Sequence, residues 1–339
     1  MANNDNNIIT TRTSDVTLLG WSLLRLHQPN SSSPAPRAGV TALPVYVSPI
    51  SFEARVVVLA VNYNFLCMII CTLGTAANVL NLIVFKKQGF NDSVNVSLFG
   101  LAISDLGCLL TLLWLSICHN PLFYNLDLPF DPVEVQYVTA GRPYLLFTRI
   151  SSWITTFVTL KRYLCVTFPM KVNGLITPRR TAVVIVIIYV LFAASVAPVY
   201  YISRLAWRFN PARNRTILGL VFTEDREAIE SVSFTVNNVA IQIVSLVCVV
   251  ACTAALVVRL NRRTSWLRGV ASDSSSSKDK KVVKMVVVIA TVFSVSFTPI
   301  TLINVGMVLD PQFTTVGRRE NLFHIVCSFA FVLEAINSS

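Results

Sequence analysis

Apolar residues gather into seven runs, Val56–Phe85, Ser97–Cys118, Gln136–Leu160, Thr181–Ser203, Val232–Val258, Met285–Leu309 and Leu322–Ser339, with polar stretches between them. A helix needs about 20 mainly apolar residues to cross a hydrocarbon core of about 30 Å. Six runs reach that length, and the seventh stops at the end of the chain after 18 residues. Four of them, 56–85, 181–203, 232–258 and 285–309, contain no Asp, Glu, Lys or Arg. The pattern predicts an all-α, integral-membrane bundle of seven transmembrane helices, its seventh span incomplete.

Composition agrees. The chain is 54% hydrophobic and 13% charged, whereas an ordinary soluble domain carries about 25% charged residues. Too few charges are present to solvate the surface of a cytosolic enzyme, and the apolar content excludes a disordered chain.

The cations set an orientation. All eight lysines lie in alternate loops or at their edges: Lys86 and Lys87, Lys161 and Lys171, then Lys278, Lys280, Lys281 and Lys284. The intervening loops carry only arginines: Arg204, Arg208, Arg213, Arg215, Arg226, Arg318 and Arg319. Short loops rich in Lys and Arg stay cytoplasmic. The N-terminus is therefore expected outside, in a multi-pass protein of the plasma membrane. The net charge of +11 then reflects topology and attraction to an anionic inner leaflet. It does not indicate nucleic acid.

Residues 1–55 are polar, with a Ser/Pro stretch at Ser31–Pro36, and read as a disordered extracellular tail ahead of a membrane domain over 56–339. No charged n-region or cleavage site marks a signal peptide. Asn30 and Asn214 head glycosylation sequons on the outer side. The eight cysteines fall mostly within spans. Cys118 alone is expected near an oxidising space and has no outer partner, so no structural disulfide is expected.

Local motifs sharpen the picture. Span one carries Gly74-Thr75-Ala76-Ala77-Asn78-Val79, and span two carries Leu101-Ala102-Ile103-Ser104-Asp105-Leu106. Span three ends in Leu160-Lys161-Arg162-Tyr163, with Phe168-Pro169 after it, and span six carries Phe293-Ser294-Val295-Ser296-Phe297-Thr298-Pro299. In this order and on these spans they resemble the rhodopsin-like (class A) G-protein-coupled receptors over about 56–339. The drift from the common pattern is similar to that of invertebrate chemosensory and neuropeptide-type receptors. The departures are specific. Lys161 stands where the family has an acid, Phe297 replaces the tryptophan near the span-six proline, and the outer cysteine pair is missing at both ends. The chain stops at Asn337-Ser338-Ser339, ahead of the family's Asn-Pro-x-x-Tyr segment, which reads as a truncation within span seven.

Asp105 lies mid-span, where an ionised side chain costs roughly 2.5–3.5 kcal/mol on the lenient insertion scale, so it is expected to face inward. The resemblance implies Asn78, Ser151, Asn337 and Ser338 as its partners and a sodium ion as their ligand. No other cofactor or metal is expected. It also implies that Arg162, with Tyr163, meets a heterotrimeric G protein. Asp279 would be the latch for that arginine, since it lies 20 residues before Pro299, about 30 Å along a helix. Phe293, Phe297 and Pro299 would form the switch in span six. Tyr144 stands where amine receptors place an acid, which argues against a biogenic amine. Tyr144, Arg149, Asn237, Asn238, Gln242, Asn304 and Glu334 are the expected ligand-pocket residues. Arg149 and Glu334 are expected to pair with each other or with a charged ligand, a peptide or a small molecule.

No enzyme signature is present. The histidines (His27, His119 and His324) are scattered, and no cluster has metal-ligand spacing. The alternative reading is a seven-span chemosensory channel subunit or a transporter. It differs in expected orientation or in having internal repeats.

Overall fold

The computed structural model describes residues 50–168, 176–210, 214–267, 273–310, 312–314 and 317–339, with the backbone alone described at 227, 260–267, 273–286 and 289. Among these residues are seven long helices and one β-hairpin. Helix α1 spans Phe52–Gln88, π-helical over Ala60–Cys67. It starts where the Ser51 hydroxyl accepts from the Ala54 amide, and ends at Gly89, whose φ of 80° is open only to residues without a Cβ clash. Helix α2, Ser93–Cys118, is capped by Asp92, which accepts from the Val94 amide at 2.9 Å. Helix α3, Arg142–Thr167, is preceded by Pro132–Gln136 and a π turn, Tyr137–Gly141. Helix α4 is Pro178–Ile202, opened by Thr177 as cap and Pro178 at its first position. Helix α5 runs through Arg226–Phe234, a π turn Thr235–Ala240 and Ile241–Leu267. Helices α6, Asp273–Leu309, and α7, Glu320–Ser338, complete the bundle.

Six of these helices are long and apolar enough to cross a membrane by length and composition. The exception is α3, because Arg142, Arg149, Lys161 and Arg162 lower its hydropathy. Its position explains this: α3 touches α2, α4, α5 and α6, so it sits at the centre of the bundle and its polar groups face protein. The lipid-type surface is on the other helices, where Leu73, Leu80, Val186, Val190, Leu191, Val295 and Leu302 are exposed. Leu109, Leu112, Leu115, Tyr144, Phe293, Phe297 and Phe331 fill the core.

The bundle is helical as expected and carries one β-hairpin in addition. Ser203–Asn210 (β1) and Arg215–Phe222 (β2) form an antiparallel hairpin, with Ser203 opposite Phe222 and Asn210 opposite Arg215. Its residues are rich in aromatic and β-branched types, and Ile217 is fully buried beneath it. The Pro129–Asp131 segment lies along β2, since the Leu218 amide donates to the Pro129 carbonyl and the Asp131 amide to the Leu218 carbonyl. Glu134 pairs with Arg208 and accepts from the Leu220 amide at 2.9 Å. A Cβ at Gly219 would meet both Arg208 and Glu134, so glycine there permits that approach. The hairpin is thus fastened to the segment that leads into α3.

Candidate functional site

The central polar cluster joins four of its five expected members. Ser151 Oγ on α3 donates to Asp105 Oδ1 on α2 at 2.7 Å, and the Ser338 hydroxyl on α7 faces the same carboxylate. Asn78 on α1 donates to the Ser338 carbonyl at 2.7 Å and to its own helix at Gly74 O. Four helices therefore converge on one buried acid. Asn337 is half-buried and has no hydrogen bond to this cluster among the described residues. One carboxylate and two hydroxyls are hard oxygen donors of the kind a sodium ion takes, so the residues fit that ion. Asn78, with its amide nitrogen committed to backbone, serves to hold α1 against α7.

Closer to the hairpin, α3, α5, α6 and α7 enclose a narrow cavity of about 20 Å³, room for about one water. All the expected pocket residues except Asn237 line it: Tyr144, Arg149, Asn238, Gln242, Asn304 and Glu334. Tyr144 donates its hydroxyl to Glu334, and Arg149 Nη2 donates to Asn238 Oδ1 at 2.6 Å. The Asn304 amide donates to the Asn238 carbonyl at 3.1 Å. Asn237 is buried one position away and donates to Ser233 Oγ. The first of the two partners expected for Arg149 is thereby corrected: it does not pair with Glu334. Each is satisfied in part by a neutral group on a neighbouring helix, because Tyr144 and Asn238 are interposed.

The switch residues also meet. Phe293 and Phe297 are buried, with ring centroids 4.4 Å apart. Pro299, inside α6, lacks an amide hydrogen. The Thr298 and Thr301 hydroxyls, on either side of it, donate back to the Ser294 and Phe297 carbonyls of their own helix at 2.6 and 2.7 Å.

At the lysine-bearing end, Lys161 is buried and donates to the Ser93 carbonyl and to Ser97 Oγ on α2. Arg162 and Tyr163 are half-buried next to it. The expected latch partner Asp279 lies on α6, but its side chain is outside the described residues. Asn30 is also outside them. Asn214 is exposed at the hairpin turn with a φ of 45°, a position accessible to a glycan. Cys118, expected near an oxidising space, is fully buried.

A further assembly was not foreseen. Glu230 at the start of α5 accepts from the Tyr137 hydroxyl at 2.5 Å and pairs with Arg142, and Arg226 Nε reaches its other oxygen at 3.0 Å. Arg226 stacks on Phe222 of β2, 3.4 Å from the ring centroid, and Phe222 packs edge-on against Tyr137. This clasp binds the top of α3 to α5 and to the hairpin. In the sequence, Glu230 is one of several loop acids, and nothing in its spacing separates it from them.

A model of the seven-transmembrane receptors of the rhodopsin family matches residues 76–338. The chain belongs to that family. That family spans the membrane several times, and membership decides against the channel or transporter alternative and against an enzyme. The chain's sequence is also similar to a galanin-like G-protein coupled receptor, npr-9, of Caenorhabditis elegans, with 29% identity over 165 residues. That match covers 46% of this chain and 34% of the relative's length, so the chain spans about a third of the curated relative it matches.

Proposed function

We infer that the chain carries the binding of an extracellular ligand to a heterotrimeric G protein across the plasma membrane. In this reading the hairpin end and the residues ahead of α1 face outward and the lysine end faces the cytoplasm, an orientation that the loop charges support. The observation that carries it is the arrangement along α3. The same helix bears buried cavity-lining groups, Tyr144 and Arg149, in one half and Arg162 at the other end. Ligand contacts at the cavity and the Phe293–Phe297–Pro299 segment of α6 share the same core, so a ligand that prefers one packing shifts the whole bundle. The central cluster at Asp105 would take sodium in the resting packing. The ligand is a peptide or a charged small molecule. Support comes from the similarity to a receptor named galanin-like and from Tyr144, which offers a biogenic amine no carboxylate at its position on α3.

The test is an epitope tag at the N-terminus together with a G-protein dissociation reporter, in cells screened with a peptide library. Tag labelling on unpermeabilised cells and a ligand-evoked reporter signal are expected. Labelling only after permeabilisation would overturn the reading.

A further inference from the structure

We propose that Arg149 is the docking point for a carboxylate group of the ligand. The proposal rests on the cavity being the ligand pocket and on its widening, when a ligand enters, from the one-water volume of this packing. Arg149 is 6% exposed, in the middle of the bundle. Among the described residues it joins no ion pair, and its single hydrogen bond from Nη2 goes to a neutral amide oxygen on Asn238. Its Nε has no partner. An arginine cannot shed its charge, and a buried charge without a counter-ion is among the costliest features a fold retains. Glu334 in the same cavity differs, because it has the Tyr144 hydroxyl and can be neutralised by taking up a proton. The unmet demand of this site is therefore for an anion.

Two further observations fix the class of anion. The Gln242 side-chain amide nitrogen also lines the cavity, is buried, and lacks a partner. Arg149 Nε–H and Gln242 Nε2–H together offer donors to two oxygens, which a planar carboxylate supplies and a halide does not. Two turns up the same helix, Arg142 holds a carboxylate already, that of Glu230. Arg142, Glu230 and Arg149 line one adjoining cavity, which shares Leu145, Arg149 and Asn238 with the first. The bundle thus has two arginines on one face of α3, about 10 Å apart. The outer one has an acid of its own, and the inner one is left for the acid of a ligand.

The experiment measures thermal unfolding of the detergent-solubilised full chain at constant sodium chloride. The probes are N-acetylglycine and its neutral counterpart N-acetylglycinamide, titrated to 100 mM. A ligand that binds only the folded state raises the midpoint in a saturable way. A rise of a few degrees is expected with N-acetylglycine and none with the amide. The rise should vanish in Arg149→Gln and weaken several-fold in Gln242→Ala. If Arg149→Gln does not fold, Arg149→Lys serves, keeping the charge but losing the two-point geometry, with weaker carboxylate binding expected. An equal rise with the amide or with added chloride, no rise at all, or a rise that survives in Arg149→Gln would overturn the proposal. Carboxylate-selective stabilisation with no coupling to any G protein would uphold the anion site while removing the receptor mechanism proposed above, so the two failures are distinguishable.

Discussion

Lys161 on α3 reaches Ser97 on α2, its Nζ 2.9 Å from the Ser97 hydroxyl. The family places an acid at this position, next to the arginine that meets the G protein. Here the side chain is instead a strut between two helices, and Arg162 has lost its nearest counter-ion. Ser97 Oγ also donates to the Ser93 carbonyl at 2.8 Å, so that carbonyl stays satisfied without the lysine. Lys161→Met should therefore change stability by only about 1 kcal/mol, the net worth of an ordinary hydrogen bond. Lys161→Asp should return a carboxylate to Arg162 and lower basal nucleotide exchange several-fold. Exchange in Lys161→Asp membranes at or above the parent level would argue against this account of the inner end.

The remaining restraint on Arg162 would be Asp279 on α6. An ion pair at a solvated mouth is worth at most about 1 kcal/mol. Asp279→Ala should raise basal exchange, and by several-fold at most. A rise of a hundredfold would require a much larger latch than this, and an unchanged rate would remove the latch alone.

The Asp105 cluster predicts a specific ion effect. Sodium chloride should stabilise the full chain against heat more than the same concentration of potassium chloride. Asp105→Asn should abolish the difference while leaving the chain folded, because the amide still accepts from Ser151. A sodium-specific shift that persists in Asp105→Asn would refute the assignment of the ion to this carboxylate.

The clasp around Glu230 ties α3 to α5 through Arg142, Tyr137 and Arg226, and all eight cysteines are free. Dithiothreitol should therefore leave surface expression unchanged. Glu230→Gln should lower it, since Arg142 is buried and would lose its acid, a change that costs about 3–5 kcal/mol in a buried pair. Flow cytometry on tagged cells measures both. A clear loss in dithiothreitol with Glu230→Gln unaffected would reverse the assignment.

Much of the architecture is legible in the chain because lipid imposes one simple rule: about 20 apolar residues, with backbone bonds closed inside the helix. Six of the seven helices follow it in length and composition. Helix α3 breaks the composition rule and is still found, because protein surrounds it and hides its cations. The hairpin is not legible in this way. Its strands rely on long-range contacts, Arg208 with Glu134 and Leu218 with Pro129, that no local period records. The site divides similarly. Asp105, Ser151 and Ser338 can be named from motif and depth. The partners of Glu230, Arg149 and Lys161 depend on helix rotation, which hydropathy does not report. Arg149 and Glu334, expected to pair with each other or with a charged ligand, do not meet each other for this reason, with Tyr144 and Asn238 occupying the bonds.

In the proposed mechanism Arg162, at the end of α3, couples the bundle to a G protein. Guanine-nucleotide exchange on purified heterotrimers, in membranes carrying the full chain at matched surface expression, measures this most directly. The parent should raise exchange above receptor-free membranes on at least one heterotrimer class, and Arg162→Ala should return it to the receptor-free level without loss of surface protein. Exchange that is undiminished in Arg162→Ala would contradict the account.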